Sequence, residues 1–180
     1  MHPRLLLVFG LIITAASFRF LPHWPNFTPV AAMALFGGAY LERKWMAFFV
    51  PLTAMLISDI FLGLHYSMWS VYLAFSLTVM IGMQLRSSAT AGRVVTASVS
   101  SAVLFFLVTN FGAWLGSPIY PQNFGGLITS YIAGLAFFHN GSLGLSFFLN
   151  DLVGTLFYSG IFFGAFSFVE KRFPAFTRTA

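Results

Sequence analysis

Apolar residues fill this chain in long runs, and polar residues collect in the short stretches between them. The runs cover residues 5–20, 28–41, 45–64, 69–86, 94–116 and 145–169, with a shorter one at 124–138. A helix that crosses the hydrocarbon core of a bilayer needs about 20 residues, and six of the runs reach or approach that length. The pattern predicts an all-α integral membrane protein. It would be a single transmembrane domain over 1–180, a six-helix bundle with a short helix at the outer face between spans five and six. The run at 28–41 has only 14 residues. Pro22, Pro25 and Pro29 rule out a continuous helix upstream of it, so residues 24–28 are expected to enter the membrane in extended form. Irregular backbone at that depth is tolerated where it is buried in protein or lines a cavity.

Composition and charge agree. Hydrophobic residues make up 58% of the chain and charged residues 7%, with a mean hydropathy of +0.86, values foreign to the surface of a soluble domain. Of 9 Lys and Arg residues, Arg4, then Arg43 and Lys44, then Arg86 and Arg93, then Lys171, Arg172 and Arg178 occupy alternate connections, and only Arg19 lies on the other side. The positive-inside rule then places both termini in the cytoplasm. The net charge of +5 is a consequence of topology, and no basic stretch interleaved with aromatics calls for nucleic acid as a partner. Arg4, the apolar stretch after it and Ala15-Ala16-Ser17 also fit a cleavable signal peptide. Apolar character continues through Phe20 and Leu21, which favours a retained helix; cleavage would leave five spans in the same orientation. The absence of cysteine excludes disulfides and thiolate sites.

Three charges fall at the outer ends of apolar runs: Arg19, Asp59 and Asp151. An ionisable residue near hydrocarbon is costly unless paired or hydrated, which makes it a functional-site hypothesis. The trio reads either as the polar wall of an outward ligand cavity or as a structural ion pair tying spans one, three and six together. Asn150, Asp151 and Thr155 share one helical face, and Thr109 with Asn110 forms a similar polar pair at the outer end of span five. Asn26, Thr28, His65, Tyr66, Met68, Asn110, Trp114 and Asn150 complete the candidate binding set. His23, His65 and His139 lack the spacing of a helical ligand pair, so no metal site is assigned. Small residues four apart, Ala34 with Gly38, Gly112 with Gly116 and Gly160 with Gly164, suit close helix approach. No P-loop, H-E-x-x-H or G-x-S-x-G motif is present, and nothing in the chain points to an enzyme.

The motifs Pro25-Asn26-Phe27-Thr28-Pro29, Gly37-Gly38, Ser58-Asp59 with Gly63 and His65, Thr109-Asn110-Phe111-Gly112-Ala113-Trp114, Tyr120-Pro121 and Gly126-Leu127 resemble a family of small bacterial membrane proteins. That family is similar to the S components of energy-coupling factor (ECF) vitamin transporters, nearest to the BtuM-type cobalamin transporters. The resemblance runs from Arg19 to Arg172. It implies a six-helix bundle in the bacterial inner membrane that holds a vitamin-like ligand in an outward cavity, with cobalamin or another corrinoid as transported substrate rather than cofactor. Such a protein acts alone or docks on an ECF membrane scaffold with two ATPases, and Ala34 and Gly38 would then belong to the docking face. Two features depart from the relatives. Their cobalt-ligating cysteine is absent, leaving His65 or Met68 as axial ligands. Their last-span pattern N-T-L-x-G-D-L reads Asn150-Asp151-Leu152-Val153-Gly154-Thr155-Leu156 here, which moves the carboxylate by roughly 6 Å along one helix face. A second function class is a metal-uptake membrane subunit, suggested by the opening Met1-His2, although Pro3 lacks the backbone N–H such a site would use. A third is a structural membrane protein without transport.

Overall fold

The computed structural model describes residues 3–116, 118–135 and 146–173, and those residues form helices joined by turns. Helix α1 covers Pro3–Ser17 and ends in a 3-10 turn, Phe18–Phe20; α2 covers Val30–Tyr40, α3 Lys44–Leu62, and α4 Met68–Met83 followed by a 3-10 turn, Gln84–Ser87. Then come α5 at Ala91–Gly116, α6 at Phe124–Leu135 and α7 at Phe147–Arg172. Five of these segments, Pro3–Phe20, Lys44–Leu62, Met68–Ser87, Ala91–Gly116 and Phe147–Arg172, are long and apolar enough to cross a membrane. The all-helical architecture and the membrane character expected from the apolar runs are therefore present.

The run at 28–41 takes a different form from the other expected spans. It folds as α2, eleven residues and about 16 Å long, roughly half the hydrocarbon thickness. Every residue from Val30 to Ala39 is buried. A helix that is apolar on all faces must be enclosed, and α2 is enclosed by α1, α3, α4, α5 and α7. Its small residues set how closely the neighbours approach. A Cβ on Gly38 would overlap the carbonyl oxygen of Val79, and one on Gly82 would overlap that of Leu35, so α2 and α4 touch backbone to backbone. On another face Gly37 receives the ring of Pro51, the proline inside α3. Ala34 is likewise fully buried. The expectation that Ala34 and Gly38 form a docking face is corrected by this packing: both lie inside the bundle, where no partner protein reaches them.

The ends of α2 are closed by chemistry suited to a dry environment. Pro29 precedes the helix and brings no N–H to satisfy there, while its carbonyl accepts from Met33 N at 2.8 Å. At the other end the Arg86 guanidinium donates to the carbonyls of Gly38 (2.9 Å), Leu41 (2.7 Å) and Glu42 (3.2 Å). A cation at a helix C-terminus meets both the orphan carbonyls and the negative end of the dipole. Phe36 and Tyr40 then pack on Phe166 of α7, with ring centroids 5.5 and 4.1 Å away, and the Arg4 guanidinium lies 5.9 Å from the Tyr40 ring. Arg4 also pairs with Glu170 at 3.4 Å. The start of α1, the end of α2 and the end of α7 therefore meet at one end of the bundle. Arg19, Asp59 and Asp151 belong to the opposite end.

Replacing Gly82 with alanine is expected to lower the stability of the detergent-solubilised protein by about 1–3 kcal/mol, the usual range for overpacking. Gly160→Ala, where an added Cβ meets no atom within 4 Å, should leave it within about 0.5 kcal/mol. Thermal unfolding of the two variants in the same detergent measures the difference.

Candidate functional site

The proline-rich link between α1 and α2 packs into the bundle. A turn closes from Trp24 to Phe27, whose N–H donates to the Trp24 carbonyl at 2.9 Å, and Asn26 adopts a left-handed φ of 62°. Asparagine tolerates that conformation better than any β-branched residue. Buried Asn150 donates from Nδ2 to the Pro25 carbonyl at 2.8 Å, a link across 125 residues. One turn further along α7, Gly154 leaves room for Phe27 and Thr28, whose backbone atoms lie 3.2 and 3.3 Å from where its Cβ would be. The extended backbone expected at 24–28 is therefore corrected to a turn, non-helical as the prolines require, which an amide and a glycine hold against α7 and which brings Asn26 to the same cavity walls as Asp151.

Arg19 and Asp59 form the ion pair that one reading of the sequence anticipates. Arg19 Nη2 lies 2.6 Å from Asp59 Oδ1, and Nη1 donates to the Ser58 hydroxyl and, at 3.3 Å, to the Met55 carbonyl. The other carboxylate oxygen of Asp59 accepts from the Tyr72 hydroxyl at 2.8 Å. Both oxygens of Asp59 are engaged, and the network ties the end of α1 to α3 and α4. Tyr72 is a member that sequence reasoning missed: a lone tyrosine in an apolar run gives no sign that its hydroxyl faces a carboxylate thirteen residues upstream.

Asp151 stands apart from that network. It is 6% exposed, its Oδ2 is buried without a hydrogen-bond partner, and no ion pair reaches it among the described residues. It forms part of the wall of two adjoining cavities, of ≈ 370 and ≈ 190 Å³, which share Asn26, Phe105 and Asp151. Thr109, Asn110, Tyr120 and the rings of Phe106, Phe147 and Phe148 line the larger cavity. Arg19, Thr28 and His65 line the smaller. Below Asp151, the hydroxyls of Thr155 and Ser159 on α7 and of Ser98 and Ser101 on α5 are also buried without partners. Thr155 and Ser159 continue the face of Asp151 at intervals of four.

Six of the eleven candidate binding residues line one cavity or the other, Arg19, Asn26, Thr28, His65, Asn110 and Asp151, while Asp59 lines neither and is paired with Arg19. Asn150 holds the wall by its bond to Pro25. Tyr66, Met68 and Trp114 are not among the lining residues. Tyr66 packs its ring where a side chain on Gly116 would sit, Met68 opens α4, and Trp114 Nε1 donates to the Pro121 carbonyl at 2.8 Å, fastening the loop before α6. The phenyl groups of the larger cavity had no distinguishing signal among 24 phenylalanines. Thr109 is signalled by its place beside Asn110. Met1, His2 and His139 lie outside the described residues, and among those described no cluster of three metal-ligating side chains forms.

The chain belongs to a family of unknown function, DUF6580, whose profile matches residues 1–176. No curated protein and no solved structure matches it.

The two aspartates are expected to respond oppositely to neutralisation. Asp59→Asn strands a largely buried guanidinium and should cost about 3 kcal/mol. Asp151→Asn removes an unpaired buried carboxylate and should leave stability unchanged or slightly higher. Thermal melts of both variants, read against wild type, give the comparison.

Proposed function

We propose that this protein is a substrate-binding membrane protein for uptake of a vitamin or other micronutrient, similar in kind to the S components of ECF transporters. The observation that carries the reading is Asp151, an unpaired carboxylate in the wall of adjoining cavities at one end of an apolar bundle. Structural ion pairs close on themselves, as Arg19 and Asp59 do; Asp151 is held open toward hollow space. The Asp151 end faces outward and both termini lie in the cytoplasm of a bacterial inner membrane. The Arg4–Glu170 pair supports this topology, because chain ends that meet require an even number of crossings. Five long helices give an odd number. The sixth crossing is made by the non-helical segment 21–29 together with α2.

The cavity volumes favour a compact ligand. At ≈ 370 and ≈ 190 Å³ they lie within or below the lower part of the range for drug-sized molecules, and a corrinoid with its macrocycle and nucleotide loop exceeds them. Protein partners remain those of the S-component reading, a membrane scaffold with ATPases or none. With Ala34 and Gly38 inside the bundle, a scaffold would have to meet helix faces that are exposed, such as Gly160 and Gly164 of α7.

Native mass spectrometry of the purified protein, followed by calorimetry against a panel of water-soluble vitamins and small micronutrients, tests the proposal. A stoichiometric small molecule bound to wild type and lost in Asp151→Asn is the expected result. Protein that carries nothing and binds no member of the panel would sink it.

A further inference from the structure

The ligand's chemical class can be argued from what the larger cavity has left to offer. Of the two charged side chains that wall the paired cavities, Arg19 is already matched by Asp59 at 2.6 Å. Asp151 has no cationic partner among the described residues, so the wall carries one carboxyl group without a counter-charge. The ionised form of a carboxyl group in apolar surroundings is stabilised chiefly by a cation placed against it, and no described side chain lining the larger cavity supplies one.

The neutral polar groups point the same way. Thr109 spends its hydroxyl proton on the Phe105 carbonyl at 2.7 Å, which leaves Oγ1 with lone pairs only. Asn110 commits Nδ2 to the Phe106 carbonyl at 2.8 Å, so its carbonyl oxygen is the freer end. Beside the Asp151 carboxyl these two oxygens give that part of the wall acceptor capacity, while Asn26 and Tyr120 elsewhere in the wall carry donors. A ligand group seated against Asp151, Thr109 and Asn110 is matched best by N–H donors. The remaining wall is largely aromatic, with phenyl rings that attract organic cations through their faces.

We infer that the cavity between α5 and α7 binds an organic ammonium ion with a compact apolar or aromatic body, its N–H groups directed at Asp151, Thr109 and Asn110. This rests on the uptake reading above and specifies its substrate class. Anionic vitamins are disfavoured by the same wall, because a second carboxylate beside Asp151 raises the cost of ionising either one.

The test uses three probes with closely similar skeletons: phenethylamine, which is an ammonium ion at neutral pH, 2-phenylethanol, which is uncharged, and 3-phenylpropanoate, which is an anion. Each is titrated calorimetrically into the full-length protein in nanodiscs, as wild type, Asp151→Asn and Thr109→Val. The ammonium ion should bind wild type roughly tenfold or more tightly than the alcohol, the usual worth of a charge-assisted hydrogen bond. Asp151→Asn should abolish that preference without changing the alcohol's affinity. Thr109→Val, which keeps the charge and the shape, should weaken the ammonium ion by a few fold. If the alcohol or the anion binds as well as the ammonium ion, or if Asp151→Asn leaves the order unchanged, the substrate class is wrong and a solute-binding cavity remains. Should none of the three bind, while the vitamin panel yields a neutral or anionic ligand, the class alone is overturned. Failure of the probes and of the panel together overturns both.

Discussion

The burial of α2 is the constraint on which the rest of the bundle depends. An eleven-residue helix cannot span the hydrocarbon, so its ends must be satisfied by protein, and its sides are covered by five other helices. Glycines at 38 and 82 let α4 approach to backbone contact, where dispersion and weak polar contacts replace the hydrophobic drive that is missing between helices in lipid. Arg86 supplies the C-terminal cap from the 3-10 turn that follows α4, so the glycine contact and the polar closure come from one stretch of chain. Because α2 is short, the chain before it must cover the remaining depth without a helix. That need creates the site. The non-helical segment 21–29 packs against α7, and its turn at Asn26 brings a polar edge to the hollow beside Asp151.

The charged groups at that end perform separate tasks because they have different partners. Asp59 is enclosed by a guanidinium and a phenol and fastens three helices. Asp151 has the turn at Asn26 on one side, cavities in front of it and a column of unpartnered hydroxyls beneath. Of the two readings of the charged trio, the structural ion pair holds for Arg19 and Asp59 and does not extend to Asp151.

Much of the fold was legible in the chain. Apolar runs of membrane length mark the five long helices, and prolines at 22, 25 and 29 mark a break in helix where the structure has one. Arg4, Arg86, Arg19 and Asp59 meet partners at the end of the bundle their alternation implies. Of the site, polar residues near the ends of apolar runs were visible as a set: Arg19, Asn26, Thr28, His65, Asn110 and Asp151 all reach cavity walls. Less legible was which small residues face outward. Four-residue spacing is the same whether a helix packs inside the bundle or against a partner, and Ala34 and Gly38 prove to be interior.

Composition and order along the chain determine that the protein is helical, where its long helices run and which residues cannot face lipid, because a bilayer penalises every unsatisfied polar group regardless of fold. Tertiary structure decided the pairings. Whether a given aspartate is neutralised depends on the side chain opposite, thirteen residues away in Tyr72 or forty in Arg19, and no local pattern encodes that distance. For the same reason only the packed bundle distinguishes Asp59, which is closed by its neighbours, from Asp151, which is left facing a cavity.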